Sequence, residues 1–88
     1  MNFNFPRARF VDENTAGQQL DHAMSEVEEI RVAAEDESVS FEDLTMEIAD
    51  LTHSLETYWR IMEKVRGKAF VRSVFKAVEK KNQVRGYY

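Results

Sequence analysis

The chain has 88 residues and a net charge of −4 at pH 7, which allows one domain with a limited core. It contains no cysteine, which excludes disulfides, thiolate metal sites and a thiol nucleophile. No apolar run approaches the roughly 20 residues needed to span a membrane, and no signal-peptide pattern opens the chain, so we expect a cytoplasmic protein without a membrane partner.

The first predicted elements are an irregular arm and a long helix. Residues 1–14 contain three Phe and the only proline without a helical period, and we expect them to pack on the body of the protein. A helix is predicted from Thr15 to Glu35, with Asn14 as candidate N-cap. Apolar side chains recur at intervals of three and four residues: Leu20, Ala23, Met24, Val27, Ile30 and Ala34.

Two further helices follow. Residues 36–40 break the helical pattern, and Ser40 with Asp43 three residues later resembles a capping box. The second long helix is predicted from Phe41 to Arg66, where Gly67 suits a left-handed helix end. The third is predicted from Lys68 to Val84.

These elements predict an all-α protein. No stretch of convincing length alternates with period two, and glycine and proline are scarce. We therefore expect an antiparallel helical bundle of three main helices in residues 15–88, preceded by the arm. The apolar stripes of the first two helices are wide for so small a bundle, which favours dimerisation into a larger bundle.

The charges are divided unevenly along the chain. Residues 1–59 carry 14 acids against 3 Lys and Arg, whereas residues 60–88 carry 9 Lys and Arg against 2 acids. A nucleic-acid-binding protein usually has a basic face without so acidic a second half, so we expect no nucleic-acid partner. Either the basic segment handles an anion beside an acid-held metal, or two solvated surfaces simply differ in charge.

Two pairs of acids stand three residues apart on the first two helices. They are Glu26 with Glu29, and Glu47 with Asp50. An antiparallel hairpin can bring the pairs face to face, where like-charge contacts of about 5 Å would each cost roughly 3 kcal/mol at an effective dielectric constant near 20. A cation would offset that cost, and ligands that are all oxygen favour Mg²⁺, with Mn²⁺ as the alternative. Solvated acids on separate surfaces remain the competing interpretation.

Three sequence segments carry a family resemblance. Ser25-Glu26-Val27-Glu28-Glu29-Ile30 is followed by Glu47-Ile48-Ala49-Asp50-Leu51, and the chain ends in Lys81-Asn82-Gln83-Val84-Arg85-Gly86-Tyr87-Tyr88. This order resembles the ExxE…ExxD signature and the KNxxRGYY ending of MazG-like, all-α nucleoside-triphosphate pyrophosphohydrolases. The resemblance covers about residues 20–88. It departs from the family at Ser25, where many members have a further acid.

The resemblance implies Mg²⁺-dependent hydrolysis of a (d)NTP to the monophosphate and pyrophosphate, in a homodimer or homotetramer that controls nucleotide pools. Glu26, Glu29, Glu47 and Asp50 would bind the metal, and Glu26 or Glu29 would also accept a proton from the attacking water. Lys81 and Arg85 would bind phosphates, and Asn82 the sugar or base.

Other interpretations stay open at this point. The chain could be a non-catalytic helical interaction module or a degenerate nucleotide-binding relative, or it could act on another substrate such as phosphoribosyl-ATP. His22 lies four residues before Glu26 and is predicted near the ligand carboxylates or at the surface, while His53 is predicted at the surface. Tyr58 and Trp59 are predicted in the core or a dimer interface.

Overall fold

The computed structural model describes residues 1–88 and is entirely helical, as predicted. The short helix α1 is followed by three long helices, the second of which, α3, contacts all the others. No helix combines the length and the apolar content that crossing a bilayer requires. The bounds are Phe10–Glu13 for α1, Ala16–Glu35 for α2, Phe41–Arg66 for α3 and Lys68–Val84 for α4.

The N-terminal region differs from the prediction in two respects. Phe10–Glu13 forms a helical turn inside the arm that was expected to be irregular. The N-cap of α2 is Thr15 rather than Asn14: its hydroxyl accepts a hydrogen bond from the Gln18 backbone at 3.1 Å, and the Gln18 side chain accepts one from the Thr15 backbone at 2.9 Å. This reciprocal pair satisfies two free donors of the first turn, which is why the helix begins there. Asn14 instead donates to the side chain of Gln19.

The two later junctions lie at the predicted residues. The Ser40 hydroxyl accepts a hydrogen bond from the Asp43 backbone at 3.0 Å and starts α3, but the Asp43 side chain accepts none from the Ser40 backbone, so only half of the predicted capping box forms. Gly67 ends α3 with φ of 89°, a conformation that L side chains rarely adopt. Because α4 begins at the next residue, this glycine sets the direction in which α4 leaves α3.

The arm is held on α3 by one carboxylate. Glu56 accepts hydrogen bonds from the Asn4 backbone at 2.9 Å, the Asn4 side chain at 2.7 Å and the Phe5 backbone at 3.0 Å. Burial raises the pKa of Glu56, but these hydrogen bonds and the nearby Arg60 outweigh it, so the net pKa lies below its ordinary value. Arg60 donates to the Phe5 carbonyl at 2.7 Å and lies 4.2 Å from the centre of the Phe3 ring.

A second contact holds α1 against α3. Asp12 accepts a bidentate hydrogen bond from Arg7 at 2.7 and 2.8 Å and another from Lys64 at 2.8 Å. These cations hold the pKa of Asp12 well below its usual range. With Val11 buried beneath it, α1 is fixed at the end of the groove between α2 and α3.

The buried core is small and partly polar. Its buried apolar residues are Val11, Ala23, Ile61 and Val71, and its buried polar residues are Gln19, Ser54, Glu56 and Thr57. The apolar stripe predicted for α2 is therefore only partly buried. Ala23 is buried and Ile30 half-buried, but the other residues of that stripe lie mostly at the surface. Exposed apolar side chains include Leu20, Met24 and Val27 of α2, together with Ile48, Leu55 and Val65 of α3.

The chain is extended for its size. Its radius of gyration is 15.2 Å, against about 12 Å expected for a compact domain of this length. Its accessible surface is 6713 Å², against roughly 5,400 Å² expected from its mass. The excess of about 1,300 Å² includes the exposed apolar stripes of the long helices.

Replacing Glu56 with Ala removes the acceptor for the arm. We expect the free energy of unfolding at pH 7 to fall by about 2 kcal/mol because three buried or half-buried donors lose a charged partner, which is a fall in melting temperature of roughly 8–16 °C. Circular dichroism melting measures it, with Glu42→Ala, an exposed acid of α3, as control.

The effect should depend on pH. Since the folded pKa of Glu56 lies below the 4.5 of an unperturbed glutamate, its stabilisation is present at neutral pH and is lost as the pH falls through the folded value. Equal melting temperatures of the two variants at pH 7 would contradict the anchoring role.

Candidate active site between α2 and α3

An open pocket of about 160 Å³ lies between α2 and α3 and is closed at one end by the arm. Its walls combine carboxylates, imidazoles, hydroxyls and one aromatic ring. Gln19, His22 and Glu26 come from α2, Asp50, His53, Ser54 and Thr57 from α3, and Ala8 and Phe10 from the arm. The pocket exists because the residues that face each other along this seam are small or polar and do not fill it.

Glu26 is the predicted acid that the pocket holds most firmly. Its side chain is 16% exposed, and Oε1 accepts a hydrogen bond from the Ser54 hydroxyl of α3. His22 Nε2 lies 3.2 Å from the same oxygen. The two neighbours fix the carboxylate across the seam and leave Oε2 without a hydrogen bond. His22 therefore contacts a carboxylate that was predicted to bind the metal. This is one of the two positions predicted for His22.

Asp50 and Glu47 lie one turn apart on α3. Asp50 lines the same pocket as Glu26. Glu47 is half-buried, and its Oε2 atom is buried without any hydrogen-bond partner. A buried carboxylate oxygen without a donor is costly, and a cation at this position would remove that cost. The structure thus brings Glu26 and Asp50 to one pocket, whereas Glu47 is not part of its wall.

The fourth predicted acid lies apart from the others. Glu29 is exposed, makes no hydrogen bond or ion pair, and is absent from the pocket wall. No group of three or more His, Asp or Glu side chains is arranged to hold a metal ion in this conformation. Oxygen ligands on two facing helices are therefore present, but they are not assembled around one point.

The three predicted substrate-binding residues lie on the last turns of α4, outside the pocket. The side chains of Lys81, Asn82 and Arg85 make no hydrogen bond or ion pair. The cations of residues 1–64 differ: Arg7, Arg9, Arg31 and Lys64 are in ion pairs and Arg60 holds the arm. All seven Lys and Arg after residue 64 are free of ion pairs, so the chain's available positive charge is concentrated on α4 and its ends.

His53 was predicted at the surface, and this prediction was wrong. Its ring lies in the pocket wall and stacks on Phe5 of the arm, with centroids 4.4 Å apart and planes 10° apart. Its Nε2 atom is buried without a hydrogen-bond partner. The spacing from Asp50 to His53 is three residues, which places both on one side of a helix, so the sequence contained a signal for this position.

Other pocket residues, among them Gln19 and Ser54, were not predicted. Gln19 is 1% exposed and donates from Nε2 to the Ser54 carbonyl at 3.0 Å, which ties α2 to α3. Ser54 follows Asp50 by four residues and binds Glu26. A polar residue on a helix gives no local sign that its partner lies 28 or more residues away, so neither role could be inferred from spacing.

Tyr58 and Trp59 lie where the core or interface prediction put them. Trp59 contacts Tyr58 at 5.2 Å and Phe75 of α4 at 4.7 Å between ring centroids. Both are half-buried and outside the pocket wall. This aromatic contact is the main link between α3 and α4.

Comparison of the chain with protein-family models, curated proteins and solved structures found no match. The functional assignment therefore rests on the residues of this chain, on their geometry and on the resemblance of its sequence motifs.

Proposed function

We propose that the protein is a MazG-like, Mg²⁺-dependent pyrophosphohydrolase that converts a (d)NTP to the monophosphate and pyrophosphate. The observation that carries this proposal is the placement of acids from both sequence motifs at one seam. Glu26 and Asp50 line the same pocket, and Glu47, one turn along α3 from Asp50 and outside the pocket wall, has a buried oxygen without a partner.

The residues present fit a hard divalent cation. The carboxylates of Glu26, Glu47 and Asp50 would hold it, with Glu29 as the fourth predicted ligand. Oxygen is the ligand atom that Mg²⁺ and Mn²⁺ prefer, and the unpartnered oxygen of Glu47 is the atom most in need of a positive neighbour. When bound, the ion would neutralise phosphate charge and lower the pKa of a coordinated water.

Glu26 is suited to move a proton in this reaction. Ser54 and His22 hold its Oε1, so the free Oε2 is available to accept the proton of the attacking water. The water oxygen forms a bond to the α-phosphorus while the bond from that phosphorus to the bridging oxygen breaks. Pyrophosphate leaves with the bonding electron pair. Glu29, one turn along α2, is the other candidate acceptor.

The substrate's negative charge also needs cations supplied by the protein. Lys81 and Arg85 of α4 are free of ion pairs and are proposed to bind phosphate oxygens, with Asn82 binding the sugar or base. A cytoplasmic enzyme of this type would control or cleanse nucleotide pools.

A homodimer or homotetramer is part of the same proposal. The excess surface of about 1,300 Å² exceeds the roughly 800 Å² per partner of a standard interface. The exposed stripe Phe41, Ile48 and Leu55 on α3 repeats every seven residues, the spacing of a helix-packing seam.

We expect sedimentation velocity to give a dimer or tetramer at micromolar concentration, and Ile48→Lys to shift it towards monomer because a charge would enter the interface. Ala49→Lys, an exposed position about 100° around α3 from Ile48, is the matched control. A wild-type monomer at all concentrations would contradict the oligomer.

A second candidate is a helical interaction module without catalysis. It is favoured by the lack of three acids arranged for a metal ion and by the exposed apolar stripes. In that case the four acids would be dispensable, and Mg²⁺ would not raise the melting temperature.

Substitution of the α3 acids separates the two candidates. We expect Glu47→Gln and Asp50→Asn each to lower kcat by more than about 100-fold, since even residues that only support a metal ligand contribute 10–100-fold. Pyrophosphate release from a panel of ribo- and deoxyribonucleoside triphosphates with Mg²⁺ measures it, with Glu42→Gln and Asp43→Asn as controls.

The same variants should lose the rise in melting temperature that Mg²⁺ gives to the wild type. Retained activity in both acid variants would show that the ligand assignment is wrong. Orthophosphate as the product, or no turnover across the panel, would contradict the proposed reaction.

A further inference from the structure

We infer that the arm end of the pocket is a nucleobase site in which Phe10 stacks on the base and His53 and Thr57 bind its edge. The inference rests on the proposed function, because it assigns the base of the same substrate. It concerns residues outside the acid motifs and outside the three α4 residues that the sequence motifs point to, and with the base bound here Asn82 is assigned the sugar.

Phe10 supplies a flat apolar surface at the pocket mouth. Phe10 is 40% exposed and lies in the short helix α1. Its ring lies beside that of His22, with centroids 6.4 Å apart and planes inclined by 32°. An aromatic ring at this position can stack on any heteroaromatic base, and base–aromatic stacking contributes about 1–3 kcal/mol.

The position of Phe10 is fixed by its neighbours rather than by its own burial. Val11 is 3% exposed beneath it, and Asp12 is bound to both Arg7 and Lys64. The Arg9 guanidinium lies over the Phe10 ring, 5.1 Å from its centre, and is itself outside the pocket wall. The ring is thus held ready at the pocket, which lowers the conformational entropy lost on binding.

The opposite wall offers polar groups without partners. His53 Nε2 is buried without a hydrogen bond, while Phe5 stacks on its ring and fixes its orientation. Thr57, one turn along α3, lines the same pocket, and its hydroxyl makes no hydrogen bond within the chain but is not a fully buried atom. A buried polar atom without a partner, such as His53 Nε2, is costly unless a ligand or water binds it. The ring edge of a base carries donors and acceptors that can bind both groups.

Two other polar residues of the pocket already have partners. Gln19 binds the Ser54 carbonyl, and the Ser54 hydroxyl binds Glu26. The arm end therefore has one flat surface and two available polar groups, while the carboxylates of Glu26 and Asp50 lie in the same pocket. This division matches a nucleotide, whose base is flat and hydrogen-bonding and whose phosphates are anionic.

The test compares a nucleotide with a phosphate chain that lacks a base. Isothermal titration calorimetry with Mg²⁺ measures binding of α,β-imido nucleoside triphosphates and of inorganic tripolyphosphate. We expect Phe10→Ala to weaken nucleotide binding about tenfold, from the loss of stacking, and to leave tripolyphosphate binding unchanged. Tyr88→Ala, an exposed aromatic residue outside the pocket wall, is the control and should change neither.

Two conservative variants test the polar wall. His53→Phe keeps a ring for Phe5 to stack on and removes Nε2, and Thr57→Val keeps the shape and removes the hydroxyl. Each should weaken nucleotide binding several-fold and alter the ranking among bases, with tripolyphosphate again unchanged. Circular dichroism establishes that each variant folds, and Phe10→Leu replaces Phe10→Ala if the latter does not.

The outcomes distinguish this inference from the proposed function. Equal affinity of the wild type for nucleotide and tripolyphosphate would overturn the base site while leaving a phosphate site. Loss of both ligands in Phe10→Ala or His53→Phe, or of neither, would also overturn it. A folded wild-type chain that binds neither ligand would overturn the proposed function and the base site together.

Discussion

The seam between α2 and α3 is the constraint on which the rest of the structure depends. Small and polar residues face each other there, with Ala23, Gln19, Ser54 and Thr57 all buried. Such a seam holds two helices together by hydrogen bonds such as Gln19 to Ser54, but it leaves space that larger apolar side chains would fill. The pocket, the bound carboxylate of Glu26 and the unpartnered atoms of Glu47 and His53 all follow from that choice of residues.

A polar seam leaves the chain with a small core, and the two other features of the fold compensate. The arm adds contacts by binding Glu56 and Arg60, and it brings Phe5 and Phe10 to the pocket. The apolar side chains of the long helices lie outside the seam, where a second copy is proposed to cover them. Stability and the proposed activity are therefore linked. The small and polar residues that leave space for the pocket also bury less apolar surface than larger apolar residues would.

Local signals in the sequence predicted most of the fold. Apolar periodicity, the Ser40 cap and Gly67 gave α2, α3 and α4 within one residue at each end. Asn14 and Thr15 are both good N-cap residues, so the sequence does not decide between them. The reciprocal contact with Gln18 makes Thr15 the cap. Periodicity identified the apolar residues of α2, but it could not tell which side of that stripe meets α3, since this depends on the partner helix. The anchor at Glu56 joins residues 52 apart, and no local pattern reports such a contact.

The site was predicted only in part, for the same reason. The spacing of the acids is visible in the sequence, whereas His53, Ser54 and Phe10 enter the site through tertiary packing.

The proposed binding of a divalent cation at this seam can be tested directly. Crystals grown with Mn²⁺ and an α,β-imido nucleoside triphosphate would give an anomalous difference map that locates the ion. We predict a peak between α2 and α3, within ligand distance of carboxylate oxygens of Glu47, Asp50 and an acid of α2. A bound nucleotide whose Mn²⁺ lies elsewhere, with these acids pointing into solvent, would contradict it.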